Sequence, residues 1–239
     1  MTTQAPIILA IDTPDLDIAK SWIEVSHGYV SGYKLGLEFF TKFGKEGVRT
    51  LQDATDAELF LDLKFHDIPN TVASATKQIV DLNPRFLTIH ASGGRAMIAA
   101  AVAAAPNIEI TAVTILTSLG SEDLKEIGFK EDPVVSAVRL AKLAKEAGAT
   151  AIVCSPQEIS AIRAAIGPHM TIITPGVRLA TETRDDQQRT MDPKSAIVAG
   201  ASYLVIGRPI TQYWSQGFQA MRERTAALAN ELSEFIRTR

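Results

Sequence analysis

One cysteine, Cys154, is all this chain carries, so no disulfide can close within it and an oxidising compartment is not implied. Charge of one sign is also missing. The 24 Lys and Arg against 27 Asp and Glu leave a net charge of −3, which argues against the basic surface that a nucleic-acid partner requires. Long hydrophobic runs are absent, none approaching the ~18–20 residues needed to span a bilayer. The opening Met1-Thr2-Thr3-Gln4-Ala5-Pro6 has no basic region, and the apolar run 7–11 stops at Asp12, so no signal peptide is expected. His66, His90 and His169 show no metal-ligand spacing, and no Cys/His cluster exists, so no metal centre is expected. These absences lead to the expectation of a cytoplasmic protein with no membrane or nucleic-acid partner.

What is present is a regular series. Hydrophobic residues make up 46% of 239, enough for a large core. Short, almost continuous apolar runs occur at 7–11, 32–35, 59–63, 86–89, 110–116, 151–153, 171–173 and 203–206. Strands buried on both faces read this way, as in a parallel sheet covered by helices. Helical patterns fall between them at 16–26, 38–54, 71–82, 95–104, 134–147, 156–166 and 193–199, with a longer one at 218–238. Gly148 and Gly167 are stop signals. Eight repeats of about 30 residues match the size of a βα unit. The reading is therefore one α/β domain over residues 1–239, a (β/α)8 TIM barrel. The alternative, an open doubly wound sheet, calls for a Gly-rich turn after the first strand, where Asp12-Thr13-Pro14-Asp15 stands instead.

In such barrels chemistry sits where strands end. The polar residues at those ends are Asp12, Lys34, Asp62 with Lys64, His90, Thr117 with Ser118, Ser155, the run Pro175-Gly176-Val177-Arg178, and Gly207-Arg208. In Leu61-Asp62-Leu63-Lys64-Phe65-His66-Asp67, alternation puts Asp62 and Lys64 on one face. An ammonium beside carboxylates keeps its proton, which suits delivery of that proton to a carbanion and not Schiff-base formation. A buried ion pair closing the barrel mouth is the structural alternative, but burying three charges for stability alone is seldom favourable. Asn70 or Thr71 can equally cap the following helix, with Pro69 fixing the turn.

Strands seven and eight end in Gly176 and Gly207, whose backbones allow close approach of an anion, and Arg208 adds a bidentate fork. A surface ion pair is the alternative for Arg208. The polar stretch 179–191 has the composition of a solvated loop but the position of a lid, with Arg178 and Gln187 flanking the phosphate end. Cys154 reads as an apolar filler.

Taken together, these residues resemble orotidine 5′-phosphate decarboxylases of the bacterial form, over essentially the whole chain. The ten residues Asp62-Leu63-Lys64-Phe65-His66-Asp67-Ile68-Pro69-Asn70-Thr71 carry the resemblance most specifically. Ala10-Ile11-Asp12, Tyr33-Lys34-Leu35-Gly36, His90-Ala91-Ser92-Gly93-Gly94, Leu116-Thr117-Ser118, Pro175-Gly176-Val177-Arg178, Asp186-Gln187 and Gly207-Arg208 accompany them in order. Val177 replaces a common isoleucine.

The resemblance implies cofactor-independent decarboxylation of orotidine 5′-monophosphate to UMP, the last step of UMP biosynthesis. It implies Lys64 as proton donor, Asp62 beside the substrate carboxylate, and Asp12 and Lys34 on the ribose. Thr117 and Ser118 face the pyrimidine. Pro175, Arg178, Gln187 (or the adjacent Gln188), Gly207 and Arg208 hold the phosphate end. It further implies a homodimer in which Asp67 and Thr71 enter the neighbouring subunit's site. Two other functions stay open: a magnesium-dependent sugar-phosphate decarboxylase or aldolase on the same barrel, and a non-catalytic phosphate-ligand binding protein. Lys34 opposes the first, and retention of Asp62, Lys64 and Asp67 opposes the second.

Overall fold

The inward and outward sides of each strand explain why its residues are apolar on both. A computed structural model describes residues 4–177 and 190–238. Its elements run β1 Ala5–Ala10, α1 Leu16–Ser26, β2 Val30–Gly36, α2 Leu37–Gln52, β3 Glu58–Phe65, α3 Pro69–Ile79, β4 Phe86–His90, α4 Gly94–Ala104, β5 Glu109–Val113, α5 Ser121–Glu126, α6 Pro133–Glu146, β6 Ala151–Val153, α7 Ile159–Ile166, β7 Thr171–Thr174, α8 Pro193–Ala199, β8 Tyr203–Ile206, α9 Arg208–Thr211 and α10 Phe218–Arg237. Each strand pairs in parallel with the next, and β1 also pairs with β8, so the sheet closes into an eight-stranded barrel. This is the (β/α)8 architecture read from the repeats.

Alternate residues divide between two cores. Ile8, Ala10, Phe60, Phe86, Ala151, Ile173 and Val205 form the small core inside the barrel. Their neighbours, such as Ile7, Leu9, Leu59, Leu61, Leu87 and Ile172, join the larger layer under the helices. Continuing the inward parity to the strand ends brings Asp12, Lys34, Asp62 and Lys64 to the C-terminal mouth.

Helix starts follow capping chemistry. Asp15 accepts from the N–H groups of Asp17 and Ile18, both at 3.0 Å. Asp132 and Asp192 cap α6 and α8, each followed by proline in the first turn.

Several boundaries differ from expectation. β5 ends at Val113, where its pairing with β6 ends; the apolar pattern runs on because Ile115 is buried in loop. α3 begins at Pro69 with Ile68 at the cap position, so neither Asn70 nor Thr71 caps it. The short helices α5 and α9 escaped the periodicity, having too few turns to show a stripe. Within α2, Gly44 adopts φ 57° and ψ −155°, a conformation nearly confined to glycine, and bends the helix there.

Candidate active site

Four charged side chains alternate in sign across the mouth. Lys34 Nζ lies 3.2 Å from Asp12 Oδ1 and 3.5 Å from Asp62 Oδ2. Lys64 Nζ donates to Asp62 Oδ1 at 2.7 Å. Each oxygen of Asp62 therefore meets its own ammonium. Asp12 is the outermost, its side chain 65% exposed, whereas Lys34 and Asp62 retain 12% and 13%.

Burial alone would push the Asp62 carboxyl towards its neutral form, but the Lys34 and Lys64 ammoniums and hydrogen bonds from Lys64 and Thr88 hold its pKa below the usual aspartate value. Burial likewise works against the Lys34 charge, and the carboxylates of Asp62 and Asp12 outweigh it, raising its pKa. Both groups stay ionised in a poorly hydrated place, which makes them a fixed electrostatic environment.

The lysine that faces the open space is held unusually. Between Leu61 and Phe65, β3 takes four residue steps where β4 takes two, from Leu87 to Ile89. An even excess leaves the inward and outward sides unchanged, so Asp62 and Lys64 share a face as alternation predicts. Lys64 itself adopts φ 48°, the left-handed region that a non-glycine residue seldom occupies. Its N–H, displaced from the ladder, donates to Thr88 Oγ1 at 2.8 Å. The same hydroxyl donates to Asp62 Oδ1 at 3.0 Å. Thr88 is a site-supporting residue that the sequence reading passed over, although its inward place between Phe86 and His90 on β4 was a usable signal.

Above the inner core opens a cavity of about 270 Å³. Phe60, Val113, Val153 and Val205 give it an apolar wall, and Asp12, Lys34, Asp62 and Lys64 line it with charge. Thr117, Pro175, Gly176, Gly207 and Arg208 also line it, so the loops after β5, β7 and β8 converge on the charged cluster. Beside the charged cluster, two glycines leave little room for a Cβ. One on Gly36 would stand 3.2 Å from Lys34 Nζ, and one on Gly207 would stand 3.3 Å from Ala10 Cβ.

Of the expected site residues, Asp12, Lys34, Asp62, Lys64, Thr117, Pro175, Gly207 and Arg208 meet around this cavity. Ser118 is exposed and does not line it. Asp67 and Thr71 are exposed and lie off the cavity of their own chain. The Asp67 carboxylate accepts from the Ile68 N–H at 2.7 Å, and Ile68 is 66% exposed beside it. Arg178, Gln187 and Gln188, with most of the stretch 179–191, lie outside the described residues. Cys154, an apolar filler by sequence, lines the cavity. His90 stacks near His66, ring centroids 5.3 Å apart, and stays off the cavity wall. Among the described residues no group of three or more His, Cys, Asp or Glu side chains is arranged to hold a metal ion.

Comparison with known proteins is consistent with this geometry. The family model for orotidine 5′-phosphate decarboxylase and the HUMPS family matches residues 5–216. A curated orotidine 5′-phosphate decarboxylase of Thermobifida fusca is 48% identical over 230 residues, covering 96% of this chain and 97% of that protein. One of Sphingopyxis alaskensis is 49% identical over 209 residues, covering 87% and 92%. The crystal structure of orotidine 5′-phosphate decarboxylase from Lactobacillus acidophilus superposes with a TM-score of 0.75 at 32% identity, over 93% of this chain and 99% of that one.

Proposed function

The chain belongs to the orotidine 5′-phosphate decarboxylase / HUMPS family, and from that premise we propose that it decarboxylates orotidine 5′-monophosphate to UMP and carbon dioxide with its fixed charges as the catalytic apparatus. The observation that carries the reading is the alternating array Asp12, Lys34, Asp62 and Lys64 on the wall of one cavity.

In the reaction the bond from C6 to the carboxylate breaks, its electron pair stays on C6, and carbon dioxide leaves. Lys64 then transfers a proton from Nζ to C6 and is reprotonated from solvent, so one proton is consumed per turnover. Asp62 keeps Lys64 in place and lies beside the departing carboxylate. The localised carbanion forms next to an ammonium already paid for in folding, which is electrostatic preorganisation. No cofactor takes part in this scheme.

Asp12 and Lys34 hold ribose hydroxyls, and Thr117 and Ser118 face the pyrimidine. Pro175, Arg178, Gln187, Gly207 and Arg208 receive the phosphate, whose binding energy organises the charged end. A homodimer completes each site with Asp67 and Thr71 of the neighbouring chain. The exposure of Ile68 and the exposed position of Asp67 off the cavity of its own chain support that arrangement. The protein works as one catalytic unit over residues 1–239, on charged metabolites of the cytoplasm.

The magnesium-dependent alternative within the same broad family is disfavoured by Lys34. Its ammonium occupies the space between Asp12 and Asp62, where a divalent cation would have to sit to use both carboxylates. The test is direct. Purified protein is expected to consume orotidine 5′-monophosphate, followed by its ultraviolet absorbance, at the same rate with and without EDTA. Absence of turnover ends the proposal, and loss of turnover with chelator transfers the chain to the metal-dependent reading.

A further inference from the structure

We propose that Thr88 is a positioning residue for the decarboxylation, its single hydroxyl fixing both the backbone of Lys64 and the carboxylate of Asp62. The inference rests on the function proposed above and extends it to a residue that lines no part of the cavity.

The geometry is a relay through one atom. Thr88 Oγ1 accepts from the Lys64 N–H at 2.8 Å and donates its only hydrogen to Asp62 Oδ1 at 3.0 Å. The irregular β3–β4 pairing creates the need for it. Extra residues in β3 carry the Lys64 amide away from the main-chain acceptors of β4, and Thr88 is the β4 residue enclosed by that gap, between Leu87 and Ile89. A side-chain oxygen replaces the missing ladder acceptor. Thr88 is completely buried, so its hydroxyl is committed to these partners and not to solvent, and a buried amide without an acceptor is costly.

Two consequences bear on chemistry. Lys64 sits at φ 48°, a conformation that persists only where its surroundings over-determine it, and this hydrogen bond is one such constraint. Asp62 Oδ1 receives both the Thr88 hydroxyl and Lys64 Nζ. Thr88 thereby sets the rotation of the carboxylate, and with it the direction in which the proton donor points. Valine has the shape of threonine but supplies neither bond; serine supplies both.

The experiment compares Thr88→Val and Thr88→Ser with the unaltered protein. Three quantities are read: kcat for orotidine 5′-monophosphate, affinity for UMP, and the titration of the Asp62 carboxyl by 13C NMR in the ligand-free protein. The groups facing Asp62 are Asp12 at the end of β1, Lys34 on β2, Lys64 on β3 and His90 on β4. None of them is altered in either variant. Thr88→Val is expected to lower kcat roughly ten- to a hundredfold, the range for a hydrogen bond to a charged group, with UMP affinity within about twofold. Asp62 then takes up its proton at higher pH, because a bond favouring the carboxylate is gone. Thr88→Ser is expected to recover most of the rate and the original titration.

Unchanged kcat in Thr88→Val overturns the proposal. So does equal loss of kcat and UMP affinity in both variants, which marks Thr88 as mere core. If the unaltered protein fails to turn over the substrate, the functional reading fails by itself. The Asp62 titration then decides the positioning role alone: an upward shift in Thr88→Val sustains it, and no shift overturns it.

Discussion

Asp62 and Lys34 carry opposite charges in a place where burial works against both, and their behaviour with pH follows from that coupling. Lys34 has its pKa raised by Asp62 and Asp12 against the effect of burial. A base raised on folding contributes stability that is fully present below its unfolded value and is lost as pH rises through the folded value. Asp62→Asn removes the larger of the two attractions and lowers the folded value, so the alkaline loss of stability is expected to be smaller and complete at lower pH. Urea midpoints measured across the alkaline range check this, and superimposable curves would deny the coupling. Asp62 behaves in mirror image. Its depressed pKa contributes stability above the unfolded value, lost as pH falls through the folded one. Lys64 is the separate case of a residue assigned to proton delivery. Lys64→Ala is expected to lower kcat by at least ~10²–10⁴-fold, the range of a positioned proton donor, while UMP binding remains measurable by calorimetry. A near-normal rate would remove Lys64 from its role.

β2 and β3 are the elements on which the charged array depends, since Lys34 and Asp62 reach each other only through their register. Gly32 pairs with Glu58, and two residues further along each strand Lys34 pairs with Phe60. A Cβ on Gly32 would lie 2.6 Å from the Glu58 carbonyl oxygen, a contact that backbone must move to relieve. Gly32→Ala is therefore expected to destabilise the protein by about 1–3 kcal/mol, as overpacking does, and to lower kcat by disturbing the Lys34–Asp62 pair. Denaturant midpoints and steady-state rates measure the two effects. Unchanged values of both would show that the strands separate without consequence. The same reasoning explains why the bulge in β3 is tolerated. It shifts the register by an even number, so the outward Leu61, Leu63 and Phe65 keep their contacts with the helical layer.

Across the whole molecule, the barrel interior is tiered along its axis. At the N-terminal end Arg85 binds Glu58 and Glu109 and donates to the Tyr203 hydroxyl at 2.8 Å, while Thr171 donates to Glu109 at 3.1 Å. An apolar tier built on Phe60, Phe86, Ile173 and Val205 separates this polar plug from the reacting charges above. The division is the one expected of these barrels, stability at one end and chemistry at the other. At the chemical end, the segment from His66 to Thr71 is exposed along its whole length. If that segment completes a neighbour's site, inactive Lys64→Ala and inactive Asp67→Ala proteins should regain activity when mixed. Random pairing across a two-fold interface restores roughly a quarter of the normal rate. No recovery, with exchange of subunits demonstrated by mass labelling, would refute the shared site.

The barrel itself was legible in the chain, because strands buried on both faces need apolar residues at every position and helices between them need a stripe. Strand alternation was also enough to put Asp62 beside Lys64. The ten-residue run from Asp62 to Thr71 was enough to suggest the family, whose membership the comparisons then established. Other features depended on contacts between residues distant in sequence. The meeting of Asp12, Lys34 and Asp62 is set by the lateral register of three strands, which no local pattern encodes. The left-handed Lys64 and its support by Thr88 follow from an irregular ladder between β3 and β4. A register shift is an outcome of packing two faces at once, so only the closed barrel decides it.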